Sequence, residues 1–209
     1  MRMRARAKII LALLVFGAII LTTRSARAVT FITNDITADT TWIAADSPYV
    51  VQNDIIVDFG ATLTIDPGVV VKFAGSRPFM LSGLDVWGKL IIEGTSDNQV
   101  YFTSYYDDTV LGDTDGGGSW GIPDLNNGYH TWRGIQFYFA DDSSIKYANI
   151  SFAREAIFLD IGNNVTISNS TISKSFLEPI FIYGSTVNLS DVSITDFTYQ
   201  GIIIMDAGA

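Results

Sequence analysis

The amino-acid sequence predicts an all-β chain wound as a parallel β-solenoid of about six turns. Three observations carry this expectation. Apolar and polar residues alternate over short runs that are cut by Gly, Asn, Asp and Pro corners. The runs recur at a steady spacing of 20 to 30 residues. No stretch after the N-terminal leader has the three-to-four-residue apolar spacing of a useful helix, and no linker divides the chain.

In chain order, residues 1–28 read as a signal peptide. Arg2, Arg4, Arg6 and Lys8 precede an unbroken apolar run of 13 residues, Ile9 to Leu21, and Ala26-Arg27-Ala28 supplies an A-x-A cleavage site. A bilayer-spanning helix needs about 20 apolar residues, so cleavage rather than anchoring is expected. The mature domain, 29–209, would then hold 181 residues, enough for one sizeable core.

Tyr49 to Val57 is strand-like and closes at Asp58-Phe59-Gly60. In "GATLTIDPGVVVKF", Gly60 to Phe73, Leu63 and Ile65 alternate with Thr62, Thr64 and Asp66. Asp66-Pro67-Gly68 then turns the chain, and Val69-Val70-Val71 opens a second β-branched strand with no room for a helix between. Leu90-Ile91-Ile92 and Val100-Tyr101-Phe102 repeat this pairing, with Leu63 to Leu90 a step of 27 and Val71 to Tyr101 a step of 30.

The repeat is plainest in "SIKYANISF", "NVTISNSTI" and "TVNLSDVSI". Aligned residue for residue, they match Ile145, Val165 and Val187, then Tyr147, Ile167 and Leu189, then Asn149, Asn169 and Asp191. A second column joins Ile157-Phe158-Leu159, Ile180-Phe181-Ile182 and Ile202-Ile203-Ile204 in steps of 23 and 22. The Asn and Asp column is expected at sharp corners, where these residues tolerate a left-handed backbone. A leucine-rich repeat shares the period, but its L-x-x-L-x-L framework is absent.

Composition bounds the partners. Beyond the leader, seven Lys and Arg face 22 Asp and Glu, a formal net charge of −15. Nucleic acid and anionic membrane surfaces would be repelled. The chain has no Cys, so stability must come from burial and paired strands rather than disulfides. The expected address is secreted or cell-surface, with the periplasm as an alternative.

Several segments resemble a known group, the secreted bacterial right-handed parallel β-helix proteins of the pectin-lyase-like fold. They are "TTWIAADSPYVVQNDIIVDFGATLTIDPGVVVKF", "GKLIIEGTSDNQVYFTS", "DDTVLGDTDGGG" and "WRGIQF", which with the repeats cover most of residues 40 to 209. The resemblance implies a right-handed β-helix whose opening segment caps the coil. It implies no single activity, because the group spans lyases, hydrolases and adhesins. The sequence closes on "GIIIMDAGA", directly after an apolar strand. A solenoid end needs covering, so the expectation is either the N-terminal part of a longer solenoid or a partner contact at the open C-terminal turn.

The sharpest local feature is an acidic and aromatic insertion, residues 105–131. Asp107, Asp108, Asp113, Asp115 and Asp124 lie in a glycine-rich stretch, and Asp-x-Asp-Gly places alternating carboxylates on a tight turn. Structural Ca²⁺ is one reading, and a merely solvated acidic loop is the other. Trp120, Tyr129 and Trp132 bracket the insertion as candidate ligand-binding residues, since sugar rings stack on exposed aromatic faces. Trp132, just before Gly134-Ile135, has corner packing as its alternative.

Catalytic signatures are weak. Arg133, Lys146 and Arg154 are the candidate bases for a polysaccharide lyase, with no motif fixing their geometry. Asp141-Asp142 resembles one element of the polygalacturonase signature, but Gly-His-Gly and Arg-Ile-Lys are missing, and the sole histidine, His130, reads as a loop-shaping residue. No G-x-S-x-G elbow or phosphate-binding loop occurs. The sequence therefore favours a structural, adhesive or glycan-binding module for polysaccharide or a cell surface. An enzyme acting on acidic polysaccharide is the alternative.

Overall fold

The computed structural model describes residues 28–74, 82–118 and 123–207. The leader, but for Ala28, lies outside them, as does Trp120.

After a capping strand β1 (Thr30–Ile32), six turns follow among the described residues. The first runs through β2 (Thr40–Trp42), β3 (Tyr49–Val51) and β4 (Ile55–Val57), and the second through β5 (Thr62–Ile65), β6 (Val70–Phe73) and β7 (Leu84–Val86). The third comprises β8 (Lys89–Glu93), β9 (Val100–Ser104) and β10 (Ile135–Phe137), and the fourth β11 (Ser143–Lys146), β12 (Ala148–Ser151) and β13 (Ile157–Leu159). In the last two, the first pair of strands merges into one bent strand. These turns are β14 (Asn164–Ser175) with β15 (Ile180–Tyr183), and β16 (Thr186–Phe197) with β17 (Ile202–Met205).

Every strand pairs in parallel with its equivalent one turn on, which makes three faces. The first stacks β2-β5-β8-β11-β14-β16, the second β1-β3-β6-β9-β12-β14-β16 and the third β4-β7-β10-β13-β15-β17. Strand alternation sends one set of side chains inward. Trp42, Ile65, Ile92, Ile145, Ile167 and Leu189 lie one above another through all six turns. The first five are at most 3% exposed. Burying such a side chain stabilises by about 1.5 to 3 kcal/mol. Among the described residues no strand stacks on the last turn, where Leu189 is 38% and Ile204 is 73% exposed.

Corners break the ladder, and side-chain oxygens accept the backbone N–H groups left over. The Ser47, Ser143 and Ser170 hydroxyls accept from Val70, Leu90 and Ala148 at 3.0, 3.1 and 3.0 Å. Buried Asn163 accepts from the Ala140 N–H at 2.7 Å through Oδ1 and donates its amide to the Phe137 and Asp160 carbonyls. Two corners use left-handed residues in each of the last three turns: Tyr147, Asn169 and Asp191, and then Phe152, Lys174 and Asp196.

Three expectations change. Tyr49 to Val57 is two strands, because polar Gln52, Asn53 and Asp54 form a corner between β3 and β4. Val71 pairs with Phe102, not Tyr101, so Tyr101 faces outward. The segment "SIKYANISF" sits two residues away from its sequence alignment: Ile145 pairs with Ile167 and Tyr147 takes the corner ahead of Asn169. A two-residue slip keeps every apolar residue inward, so hydrophobic pattern alone cannot detect it. Asn149 therefore lies in strand β12, paired with Thr171.

Candidate functional site

Two regions carry chemistry: the acidic insertion, and an aromatic corner between the third and first faces.

The insertion leaves β9 and folds back over the outer side of the second face, where it covers Lys72 completely. The Lys72 ammonium donates to the carbonyls of Asp107 and Gly112, each at 3.0 Å, and to Thr114 Oγ1 at 2.7 Å. Burial lowers its pKa, opposed by the nearby charges of Asp107, Asp108, Asp115 and Asp113. A cation is thus built into the loop. Sequence reasoning missed it, although a Lys inside "VVVKF" was its signal.

The five predicted carboxylates separate into three roles. Asp107 accepts from the Thr103 hydroxyl at 2.6 Å and from Thr109, both N–H and hydroxyl, so both its oxygens are taken. Asp108, Asp113 and Asp115 converge, with ligand oxygens within 4.8 Å of one another. Asp108 Oδ1 is buried without a hydrogen-bond partner, and its pKa is raised by desolvation and by Asp113 and Asp115. Asp113 is held below the usual carboxylate range, first by the Gly116 N–H and also by that of Gly118. Asp124 belongs to a separate turn, where it accepts from Asn126 N–H and the Asn127 amide, each at 2.8 Å.

Tyr129 is 48% exposed, and its carbonyl accepts from the Asp124 N–H at 2.9 Å. Trp132 takes the packing alternative. It is 0% exposed, stacks on Phe73 with centroids 4.0 Å apart, and donates Nε1–H to the Ser151 carbonyl at 2.7 Å. No face of that ring is left for a ligand. His130 packs on Tyr106 at 4.2 Å and offers its carbonyl to Ser104 Oγ, which matches a loop-shaping role.

Of the three candidate bases, Arg133 is bound tightest. Its Nη2 lies 2.6 Å from Asp85 and 3.1 Å from Asp54, while Nη1 donates to Gln136 at 3.0 Å. The guanidinium is thus held by two carboxylates and an amide oxygen. Lys146 sits over the Tyr147 ring at 5.9 Å. The N–H of Arg154 donates to the Trp132 carbonyl at 2.6 Å. Arg133 and Arg154 both act on Glu155, whereas Lys146 lies on the first face in β11.

The aromatic corner was not foreseen from the sequence. Along the third face, Phe158 and Phe181 stack at 5.4 Å with planes 18° apart, so each covers a face of the other. At the corner into the first face Trp87 stacks on Tyr138 at 4.9 Å, while the two flanking rings are tilted from it. Phe59 meets Trp87 at 64° and Phe139 meets it at 41°. Phe59 and Phe139 remain 66% and 58% exposed. With Thr62, Lys89 and Asp141 they line a groove of about 350 Å³. Its floor requires glycine, because a Cβ on Gly88 would lie 2.2 Å from the carbonyl oxygens of Asp58 and Ala61. The available signal was "DFGA", "VWGK" and "YFADD" at successive turn ends, each with an aromatic residue at the corner.

Residues 133–209 match the family model described as the right-handed beta helix region. No curated protein and no solved structure matches the chain. Among the described residues, no helix is long and apolar enough to cross a membrane. With that match over residues 133–209, and with every named strand paired in parallel, the fold is a right-handed parallel β-helix solenoid.

Proposed function

We propose that this β-helix is an exported, cell-surface or secreted module that binds glycan through the aromatic corner. The carrying observation is the groove in which Phe59 and Phe139 expose their rings on either side of Trp87, beside Thr62, Lys89 and Asp141. Aromatic faces suit the C–H faces of sugar rings, and the polar groups suit their hydroxyls. Export is supported by the basic and apolar leader ending at Ala26-Arg27-Ala28. N-terminal sequencing of the protein from its own cells should begin at Val29.

Affinity electrophoresis of the full chain against a panel of soluble polysaccharides tests the binding. Retention is expected, weakened roughly three- to tenfold by Phe59→Ala or Phe139→Ala, the worth of one aromatic contact. Retention that ignores both changes, or none on any polysaccharide, rejects the reading. Release of unsaturated or reducing ends would favour the enzymatic alternative.

A second reading concerns Ca²⁺. Asp108, Asp113 and Asp115 bring oxygens within 4.8 Å, the spread that a cation with ligands at about 2.4 Å can bridge. Lys72 supplies one positive charge against four neighbouring Asp. Bound calcium should raise the melting temperature, and a chelator should reverse the rise. Asp113→Asn should abolish the response.

A further inference from the structure

We propose that the aromatic corner selects uncharged glycans and turns away uronate-rich ones. This rests on the glycan reading above and adds the class of ligand. The groove's charges decide it. Asp141 lines it, and the adjacent Asp142 reaches to 3.8 Å from Lys89, the one basic residue among the described lining. Both members of that pair are well exposed, at 39% and 78%, so the lysine enters the groove already facing a counter-charge. Asp39 accepts from the Thr62 N–H at 2.8 Å, and Asp58 stands immediately before Phe59. Asp141 in the lining, Asp142 on Lys89, and Asp39 and Asp58 beside lining residues thus outnumber the one lining ammonium.

A polyuronate carries about one negative charge per sugar at neutral pH and would bring each into this field. Among the described lining residues, the one cation able to receive it already faces Asp142. A neutral pyranose meets no such repulsion. Its C–H face can lie on Phe59 or Phe139, while its hydroxyls donate to Asp141 or accept from Lys89. Carboxylates that repel an acid are here hydrogen-bond acceptors for an alcohol.

The test compares the full chain binding a neutral galactomannan and a soluble mixed-linkage β-glucan with its binding to polygalacturonate, at low and high salt. Neutral chains should bind with little salt dependence, and polygalacturonate should not bind at low salt, where repulsion is least screened. The pair Asp58→Asn and Asp142→Asn, neither of which lines the groove, should raise polygalacturonate binding by about tenfold or more while leaving neutral binding within about threefold. Polygalacturonate binding tighter than the neutral chains, lost with Phe59→Ala, overturns this inference but keeps the glycan site. Binding of none of the three overturns the glycan reading, and the inference with it.

Discussion

The late coil and the acidic insertion obey different rules. From Ser143 to Met205 each strand pairs with its equivalent one turn away, and the pairings line its residues up in columns between the corners. Between Tyr105 and Thr131 nothing repeats, and the loop is held by groups distant in sequence, Lys72 above all. Stability in the coil is collective, because each side chain supports the turns beside it. Stability in the insertion hangs on a few contacts that can be removed one at a time.

The largest expected effect comes where the two regions meet. Trp132 ends the insertion yet stacks within the core on Phe73 and, at 6.5 Å, on Phe102. Trp132→Ala should cost about 3 to 5 kcal/mol of global stability, read by denaturant unfolding. A loss under about 1 kcal/mol would mean that the ring stands apart from the coil's core.

Lys72→Met comes next. Removing the ammonium strands the Asp107 and Gly112 carbonyls, at about 1 to 3 kcal/mol. The effect should be local, with protease cleavage rising within residues 105–118 while the coil melts cooperatively. Uniform destabilisation without loop cleavage would contradict the separation of the two regions.

These cases show what was legible in the sequence. Ile157, Ile180 and Ile202 were aligned correctly because their column has no competing register. The placement of "SIKYANISF" was wrong by two residues because inward and outward alternation survives such a slip. Lys72 was invisible as the loop's counter-ion because its partners lie 35 to 42 residues away. The aromatic corner escaped for a related reason: Phe59, Trp87 and Phe139 are one residue each in three separate turns, and only the stacking of turns gathers them.

Glycine substitution would sharpen the register. Asn169 has φ +50° and Asn149 sits in a strand. Asn169→Gly should be neutral or slightly stabilising, whereas Asn149→Gly should cost about 0.5 to 1 kcal/mol, read from melting curves. Equal effects would restore the alignment in which both occupy the same corner.

The smallest effect is one of sign, and it separates the regions by pH. Asp85 and Glu155, on the coil, have raised pKa values because burial disfavours their charge, partly offset by Arg133 for Asp85 and by Arg154 for Glu155. Their cost is absent below the ordinary carboxylate pKa near 4 and grows as pH rises through the raised values. In the insertion, Asp113 is lowered by the Gly116 N–H, and Asp124 by the Asn127 amide. Their contribution is present above that ordinary value and is lost as pH falls through the lowered ones. Acidification from about pH 6 to about pH 3 should therefore relieve the coil at these two residues while loosening the insertion at Asp113 and Asp124, against a relief at Asp108, whose pKa burial raises. Peptide-resolved hydrogen exchange, corrected for intrinsic rate, should show protection falling around residues 113–118 relative to β7 and β10. Asp113→Asn should remove much of that difference, since an amide has no proton to gain. A loop and coil that lose protection together, with or without Asp113, would mean that the insertion and the coil open as one unit.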